Sequence, residues 1–287
     1  MPEEPLKVTW TSTLGTAAET RFIDKIIRYG DIYYLAYPIN SPGEITRRPP
    51  SFSYASVERR ILRDSAIYRN KLATLTPIME SEQVRAIPND QQNDIDPFWN
   101  NGYFSATDAK IGYAILADLK PRTVLEIGAG NSTKFFRKSI RDFKLETKLV
   151  AVDPAPRADL TKVADVIITN SVLDLDLGAF NRLAPGDILS WDGSHLVTNG
   201  SDVTRLFLEV LPLLKPGVVV HVHDIMMPYE AYDPGAVGLA SVSYPEQYML
   251  GNYLLWAERA RVLLPVHYLY RMNIVARNGF SFWFVTG

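Results

Sequence analysis

Three of the chain's four histidines lie beside aspartates in two short stretches, Asp192-Gly193-Ser194-His195 and His221-Val222-His223-Asp224. Neutral imidazole takes up a proton readily near pH 7. Carboxylates from two neighbouring segments can instead share a divalent cation that acidifies and fixes a bound hydroxyl. These residue types therefore equip the chain for general-base chemistry, with His195 the preferred base and Asp192 and His223 beside it. They also offer metal-assisted chemistry, with Asp192 and Asp224 as candidate ligands. Plainer readings exist: Asp192 can cap the turn that follows it. His221 shares a strand face with His223 by the period-two rule and reads as buried, hydrogen-bonded and inert. His267 lies in an apolar run, residues 261–270, that reads as a strand, where it has a structural role.

For the two stretches to meet, they must end neighbouring strands. From about residue 106 the pattern alternates regularly. Helix is expected at 106–120, strand at 123–127, helix at 134–143, and strands at 148–153, 164–169 and 187–192. A helix capped by Ser201 follows over 201–214, then a strand over 218–224, a helix over about 246–260, and strands over 261–270 and 280–287. Short connections and continuously apolar strands point to an α/β fold, a doubly wound and mostly parallel sheet. The last two strands are too close in sequence for a crossover helix, so they are expected to pair antiparallel. Asp192 and His223-Asp224 then stand at strand carboxyl ends, where open α/β sheets bind ligands.

The first of these strands runs into the turn "VLEIGAGNST", residues 124–133. A glycine-rich turn before a helix presents backbone N–H groups at the helix's positive end. The dinucleotide fingerprint requires a third glycine where this chain has Thr133. Glu126 sits just ahead of the turn, where it would be unfavourable beside a pyrophosphate but could accept hydrogen bonds from an ammonium group. Asp153, ending the second strand, suits a ribose diol in either kind of nucleotide fold.

Together "VLEIGAGNST" and "AVDP" (151–154) resemble the first two motifs of the class I S-adenosylmethionine-dependent methyltransferases, and the similarity runs from about Trp99 to the carboxyl terminus. The resemblance implies a seven-stranded sheet with a reversed last strand, and S-adenosylmethionine as cofactor. By it, Glu126, Gly128 and Gly130, with Asn131 and Ser132 of the same turn, line the methionine end. Asp153 holds the ribose, and Ser171, just after the third strand, lies near the adenine. The acids at the fourth and fifth strand ends resemble those of catechol and macrocin-type sugar O-methyltransferases, which hold magnesium. Where the catechol enzymes carry an Asp-Asn pair, this chain has Asp224-Ile225, so one ligand is missing unless His223 or His195 replaces it. "DGSH" (192–195) stands where amino-methyltransferases carry an Asn/Asp-Pro-Pro-aromatic motif. The expected reaction is O-methylation of a small-molecule hydroxyl, in a sugar or natural product. N-methylation, methylation of a protein or polymer, and non-catalytic S-adenosylmethionine binding are the alternatives.

Composition sets the outer limits. The 287 residues carry a formal net charge of −2, with no basic surplus for nucleic acid or an anionic membrane. There is no cysteine, which excludes disulfides, thiol catalysis and cysteine-bound zinc. The start "MPEEPLKV" is the reverse of a signal peptide. The most apolar stretch, Leu206 to Val220, is broken by Glu209 and Lys215 and is shorter than a membrane span. A cytoplasmic protein with a small-molecule acceptor is expected, and a homo-oligomer is compatible with the sequence. Residues 1–95 read as an N-terminal extension (a lid, cap or dimerisation segment) and 96–287 as the methyltransferase domain. Within the extension, 31–39 reads as an aromatic strand and 56–75 as an amphipathic helix. "FWNNGYF" (98–104) is expected to fold over the cofactor cleft.

Overall fold

The strands at the centre of the fold are rich in Val, Ile and Leu and are buried on both faces, as parallel strands sandwiched between helices must be. The structure, a computed structural model, describes residues 52–230 and 244–287 apart from residue 157. The expected strand at 31–39 lies outside the described residues. Seven strands form one sheet: β1 (Thr123–Ile127), β2 (Lys148–Val152), β3 (Val166–Ile168), β4 (Ile188–Trp191), β5 (Val219–Val222), β6 (Arg261–Pro265) and β7 (Phe282–Val285). Their order is β3-β2-β1-β4-β5-β7-β6. The first five are parallel, and β7 inserts antiparallel between β5 and β6, giving the reversed last strand. The order reverses direction between β1 and β4, and in open α/β sheets ligands bind beyond the strand carboxyl ends at such a point.

Helices α1 (Ala55–Arg63) and α2 (Ser65–Met79) replace the single helix expected at 56–75. The break falls at Asp64, whose buried carboxylate accepts from Arg60 Nη1 and from the backbone N–H of Val262, both at 2.8 Å. The bend thus ties the front segment to the start of β6, and α2 packs on β6 and on α3 (Ala106–Leu119). Helix α3 starts at Ser105, whose hydroxyl accepts from the N–H of Asp108, a side-chain cap of the usual kind. Helix α4 (Asn131–Asp142) follows the glycine-rich turn.

Two expected elements differ from what the chain adopts. The helix begun by Ser201, whose hydroxyl caps Thr204 as expected, runs as α5 (Asp202–Arg205), then as a π-turn over Leu206–Val210 before Leu211–Leu213. Pro212 has no N–H to give to the carbonyl a turn earlier, so a regular α-helical ladder fails there. The run 261–270 is not one strand. It leaves the sheet at Pro265, again for want of a donor, and continues after helix α6 (Glu246–Trp256) and β6 as α7 (Val266–Arg271). His267 is therefore helical, buried, and bonded to Asn278 Oδ1 at 3.0 Å.

Among the described residues no helix is long and apolar enough to cross a membrane.

Candidate active site

The carboxyl ends of β2, β1, β4 and β5 lie side by side and carry Asp153, Glu126, Asp192 and His223-Asp224. Between β1 and α4 the chain turns on Gly128, whose φ of +78° suits glycine and whose N–H donates to Val152 O at 3.0 Å. A Cβ there would stand 1.7 Å from the carbonyl oxygen of Asp192. Gly130 is different: a Cβ built on it meets nothing within 4 Å among the described residues. That side of the turn is open. The Gly130 N–H donates to Thr133 Oγ1 at 2.9 Å, and Ser132 Oγ donates to Glu126 Oε1 at 2.6 Å.

Glu126 is 1% exposed and its other oxygen, Oε2, has no partner among the described residues. A buried polar atom without a partner calls for a donor from outside the chain. Burial pushes its carboxyl up to about 7; the Ser132 and Thr133 hydroxyls pull the other way, and the charges of Asp192 and Asp153 add to the rise. Because this value lies above the 4.5 of the unfolded chain, the stability Glu126 contributes is complete below about 4.5 and is lost as pH rises through about 7. Glu126→Gln, which carries no charge to bury, is expected to melt increasingly above wild type as pH rises from about 5 to about 8. Thermal melts across that range would show it, and a constant gap would contradict it. Asp153 is half-buried and turns the chain by accepting from Ala155 N at 2.8 Å, while Asn131, half-buried, opens α4. Ser171 caps a 3₁₀ turn by accepting from Leu173 N at 3.2 Å.

The second group of residues forms a single cluster. His195 Nε2 lies 3.3 Å from Asp192 Oδ1 and 3.4 Å from Asp224 Oδ2, and its Nδ1 meets Glu246 Oε2 at 2.9 Å. Burial disfavours the imidazolium, but the hydrogen bonds from Asp192 and Glu246 and their charges outweigh it and carry His195 up to about 10. His223 Nδ1 lies 3.6 Å from Asp192 Oδ2 and 3.7 Å from Asp224 Oδ1. Burial likewise works against its charged form, and the carboxylates of Asp192 and Asp224 more than compensate. Asp192 is held well below the usual carboxylate range: burial opposes this, and the charge of His223 and the hydrogen bond of His195 overcome it. Its side chain is still 32% exposed, so the cluster opens to a ligand on that side. His195 and Asp224 both have left-handed backbones, φ +61° and +58°. Such conformations at non-glycine residues concentrate at functional sites.

His221 shares that side of β5, its ring 6.0 Å from that of His223, but it is closed in. Ser190 and Ser281 hydroxyls engage its two nitrogens at 2.8 Å each, it stacks on Trp283, and burial lowers it to about 3. It is a neutral structural residue. From "FWNNGYF", Asn101 folds the loop by accepting from Phe104 N at 2.7 Å, and Phe104 sets its ring 5.3 Å from that of His223. Two residues of the cluster went unnoticed in the sequence: Glu246, at the start of α6, and Asp108, in the first turn of α3, whose Oδ2 is 3.4 Å from His223 Nε2. A basic cleft lined by Lys120, Arg122, Lys144 and Lys148 opens at the opposite ends of β1 and β2 and holds no histidine.

The model of a methyltransferase domain matches residues 125–225, which span the turn, both acid-bearing strand ends and His195. No curated protein matches the chain. Among solved structures, the chain is similar to CmcI in complex with SAH, at 16% identity over 72% of this chain and 91% of that one, TM-score 0.40. It is similar to cofactor-bound Rv0187 from MTB, at 16% identity over 84% and 98%, TM-score 0.40. A third is the MycE methyltransferase from the mycinamycin biosynthetic pathway, in complex with Mg, SAH and mycinamycin VI, at 22% identity over 60% and 46%, TM-score 0.33. The matched segment holds both strand-end motifs, and the reversed seventh strand lies beyond it: residues 125–225 match a methyltransferase domain, set in the seven-stranded sheet that the sequence leads one to expect.

Proposed function

We propose that the protein methylates a hydroxyl of a small molecule, a sugar or natural product, with His195 as general base. The observation that carries this reading is the placement of His195. Its Nδ1 is fixed by Glu246 and its Nε2 faces the gap between Asp192 and Asp224, beside the open turn of β1.

The residues at the turn fit the cofactor. Glu126 has a buried oxygen without a donor among the described residues, which the ammonium of an amino-acid tail would supply. Gly130 leaves the room that a side chain would take, and Asp153 is half-buried at the end of β2 for a ribose diol. Asn131 and Ser132, at the start of α4, put backbone N–H groups at the helix's positive end. Ser171 closes the far side, after β3. S-adenosylmethionine, so held, supplies a methyl group on a sulfonium centre for transfer to the acceptor oxygen.

His195 Nε2 is the atom that takes the acceptor's proton. With three carboxylates around it the ring already holds a proton up to about 10, so it becomes a base only when the charge on Asp192 and Asp224 is compensated. Those two carboxylates also have the chemistry to hold a divalent cation, and their donor atoms with that of His223 lie within 4.8 Å of one another. Such a cation would orient the acceptor hydroxyl and lower its pKa. Asp192 orients His195 from one side and Glu246 from the other.

Two measurements test the reading. Asp153→Ala is expected to weaken S-adenosylmethionine binding about ten- to hundredfold by calorimetry, the value of a charge-assisted hydrogen bond, with the melting temperature of the cofactor-free protein lowered by only a few degrees for the lost bond to Ala155. An acceptor screen read by mass spectrometry is expected to find methyl transfer to hydroxyls of small molecules. Transfer to nitrogen alone, or to protein alone, would replace this reading.

A further inference from the structure

The donor set of the cluster is unusual for magnesium. The atoms of Asp192, His223 and Asp224 that converge within 4.8 Å include an imidazole nitrogen, and His195 is not part of that set. His223 is 3% exposed, and its ring has no freedom to turn away. Phe104 packs against it, and its Nε2 faces Asp108 Oδ2 at 3.4 Å. Asp108 is itself fully buried and locked by Ser105 Oγ at 2.7 Å and by the N–H groups of Phe280 and Ser281 at 2.9 and 2.8 Å. Helix α3 and the start of β7 therefore fix a carboxylate behind the imidazole, and the imidazole presents Nδ1 to two further carboxylates.

We propose that this site selects a first-row transition ion of the cobalt, zinc or iron(II) class over magnesium, with Asp192, Asp224 and His223 Nδ1 as ligands and Asp108 orienting His223 through Nε2. The proposal rests on the reading of Asp192 and Asp224 as cation ligands. Magnesium favours an all-oxygen shell and keeps its waters, whereas imidazole suits the later first-row ions. Bonds of about 2.1 Å bring neighbouring ligand atoms to roughly 3.0–3.4 Å, so the separations of 3.6 and 3.7 Å around His223 Nδ1 need to close only slightly. A carboxylate on the far nitrogen fixes the ring and raises its strength as a ligand, the arrangement common behind metal-bound histidines. His195 Nε2 lies 3.3 and 3.4 Å from the same two carboxylates but outside the converging set, and Glu246 holds the ring from behind through Nδ1.

The test uses the full chain after chelator treatment. Calorimetry with Co²⁺ and with Mg²⁺ is expected to show Co²⁺ bound at least tenfold more tightly. Pulsed electron paramagnetic resonance with Mn²⁺ as probe is expected to show one directly bound imidazole nitrogen. His223→Ala should lose about ten- to hundredfold in Co²⁺ affinity and the nitrogen signal, with Mg²⁺ affinity within about threefold of wild type. Asp108→Asn should lose about tenfold for Co²⁺. His223→Asp should invert the preference toward Mg²⁺. Equal affinity for the two ions, no binding of either, or a wild-type Mn²⁺ spectrum without a bound nitrogen overturns the proposal, and the last needs no variant to fold. Calorimetry with S-adenosylmethionine on the same samples separates the two readings. Cofactor binding with no metal preference overturns the site alone, and metal preference without cofactor binding overturns the proposed function alone.

Discussion

His195→Ala is expected to lower turnover by roughly 10²–10⁴, the usual contribution of a positioned general base, while S-adenosylmethionine binds within about twofold of wild type. The separation follows from the geometry. The residues proposed to face the cofactor, Glu126, Gly130 and Asp153, lie in β1, just after β2 and in the turn between β1 and α4, whereas the His195 ring is held by Asp192, Asp224 and Glu246. The loss should therefore fall on kcat, or on the KM for the acceptor, and not on the cofactor.

Removing the ring also removes a cation from among three carboxylates. Glu246 is fully buried and its Oε1 already lacks a partner among the described residues; burial raises its carboxyl, and the hydrogen bond and charge of His195 are what pull it down. Without His195 that carboxyl takes up a proton or destabilises α6, so His195→Ala is expected to melt below wild type by a gap that is widest near pH 6.5 and closes as pH rises toward about 10, where wild-type His195 gives up its own proton. His195→Gln separates the two consequences. It keeps a donor for Glu246 and loses the proton acceptor, so it should recover most of the melting temperature and none of the turnover. Wild-type turnover in either variant removes His195 from the mechanism.

The sheet was legible because its strands are buried on both faces, and a continuous run of Val, Ile and Leu between turn residues has few other readings. β1, β2, β4 and β5 each fall within a residue or two of their expected bounds, and the antiparallel β6–β7 pair follows from the short link between them. The failures share a cause. Pro212 and Pro265 sit inside apolar runs whose periodicity alone favours one uninterrupted element, and in each the missing N–H ends or distorts it. Asp64 breaks the front helix because its carboxylate is drawn to Val262, far away in sequence, which local pattern does not carry. The site was half legible for the same reason. Asp192, His195, His223 and Asp224 announce themselves by standing at strand ends. Asp108 and Glu246 sit in first turns of helices, where acids ordinarily complement the helix dipole, and only the tertiary fold turns them toward the two histidines. The pair Ser105 and Asp108, a capping pattern, was the one local signal available.

Gly128→Ala and Gly130→Ala, two methyl groups in one turn, are expected to fail in opposite ways. At Gly128 the backbone is left-handed, which costs an alanine about 1–2 kcal/mol, and the new Cβ would stand 1.7 Å from the carbonyl oxygen of Asp192. That neighbour is backbone. It is pinned by the bond from Asp192 N to Ile127 O at 2.9 Å, and Gly128 by its bond to Val152 at 3.0 Å, so neither can yield without parting β1 from β4 or β2. Overpacking of this kind adds about 1–3 kcal/mol. The total of roughly 2–5 kcal/mol corresponds to a fall of about 5–15 °C in melting temperature for a domain of this size, with Asp192 displaced and cofactor binding lost as a consequence. At Gly130 nothing among the described residues lies within 4 Å of the Cβ direction, so alanine there should lower the melting temperature by much less than at Gly128. The same open space is where the cofactor's methionine end is proposed to lie, and filling it should weaken S-adenosylmethionine binding at least tenfold by calorimetry. A Gly128→Ala protein that melts with wild type would contradict the close approach of β1 and β4. Normal cofactor binding by Gly130→Ala would mean that the open side of the turn faces something other than the ligand.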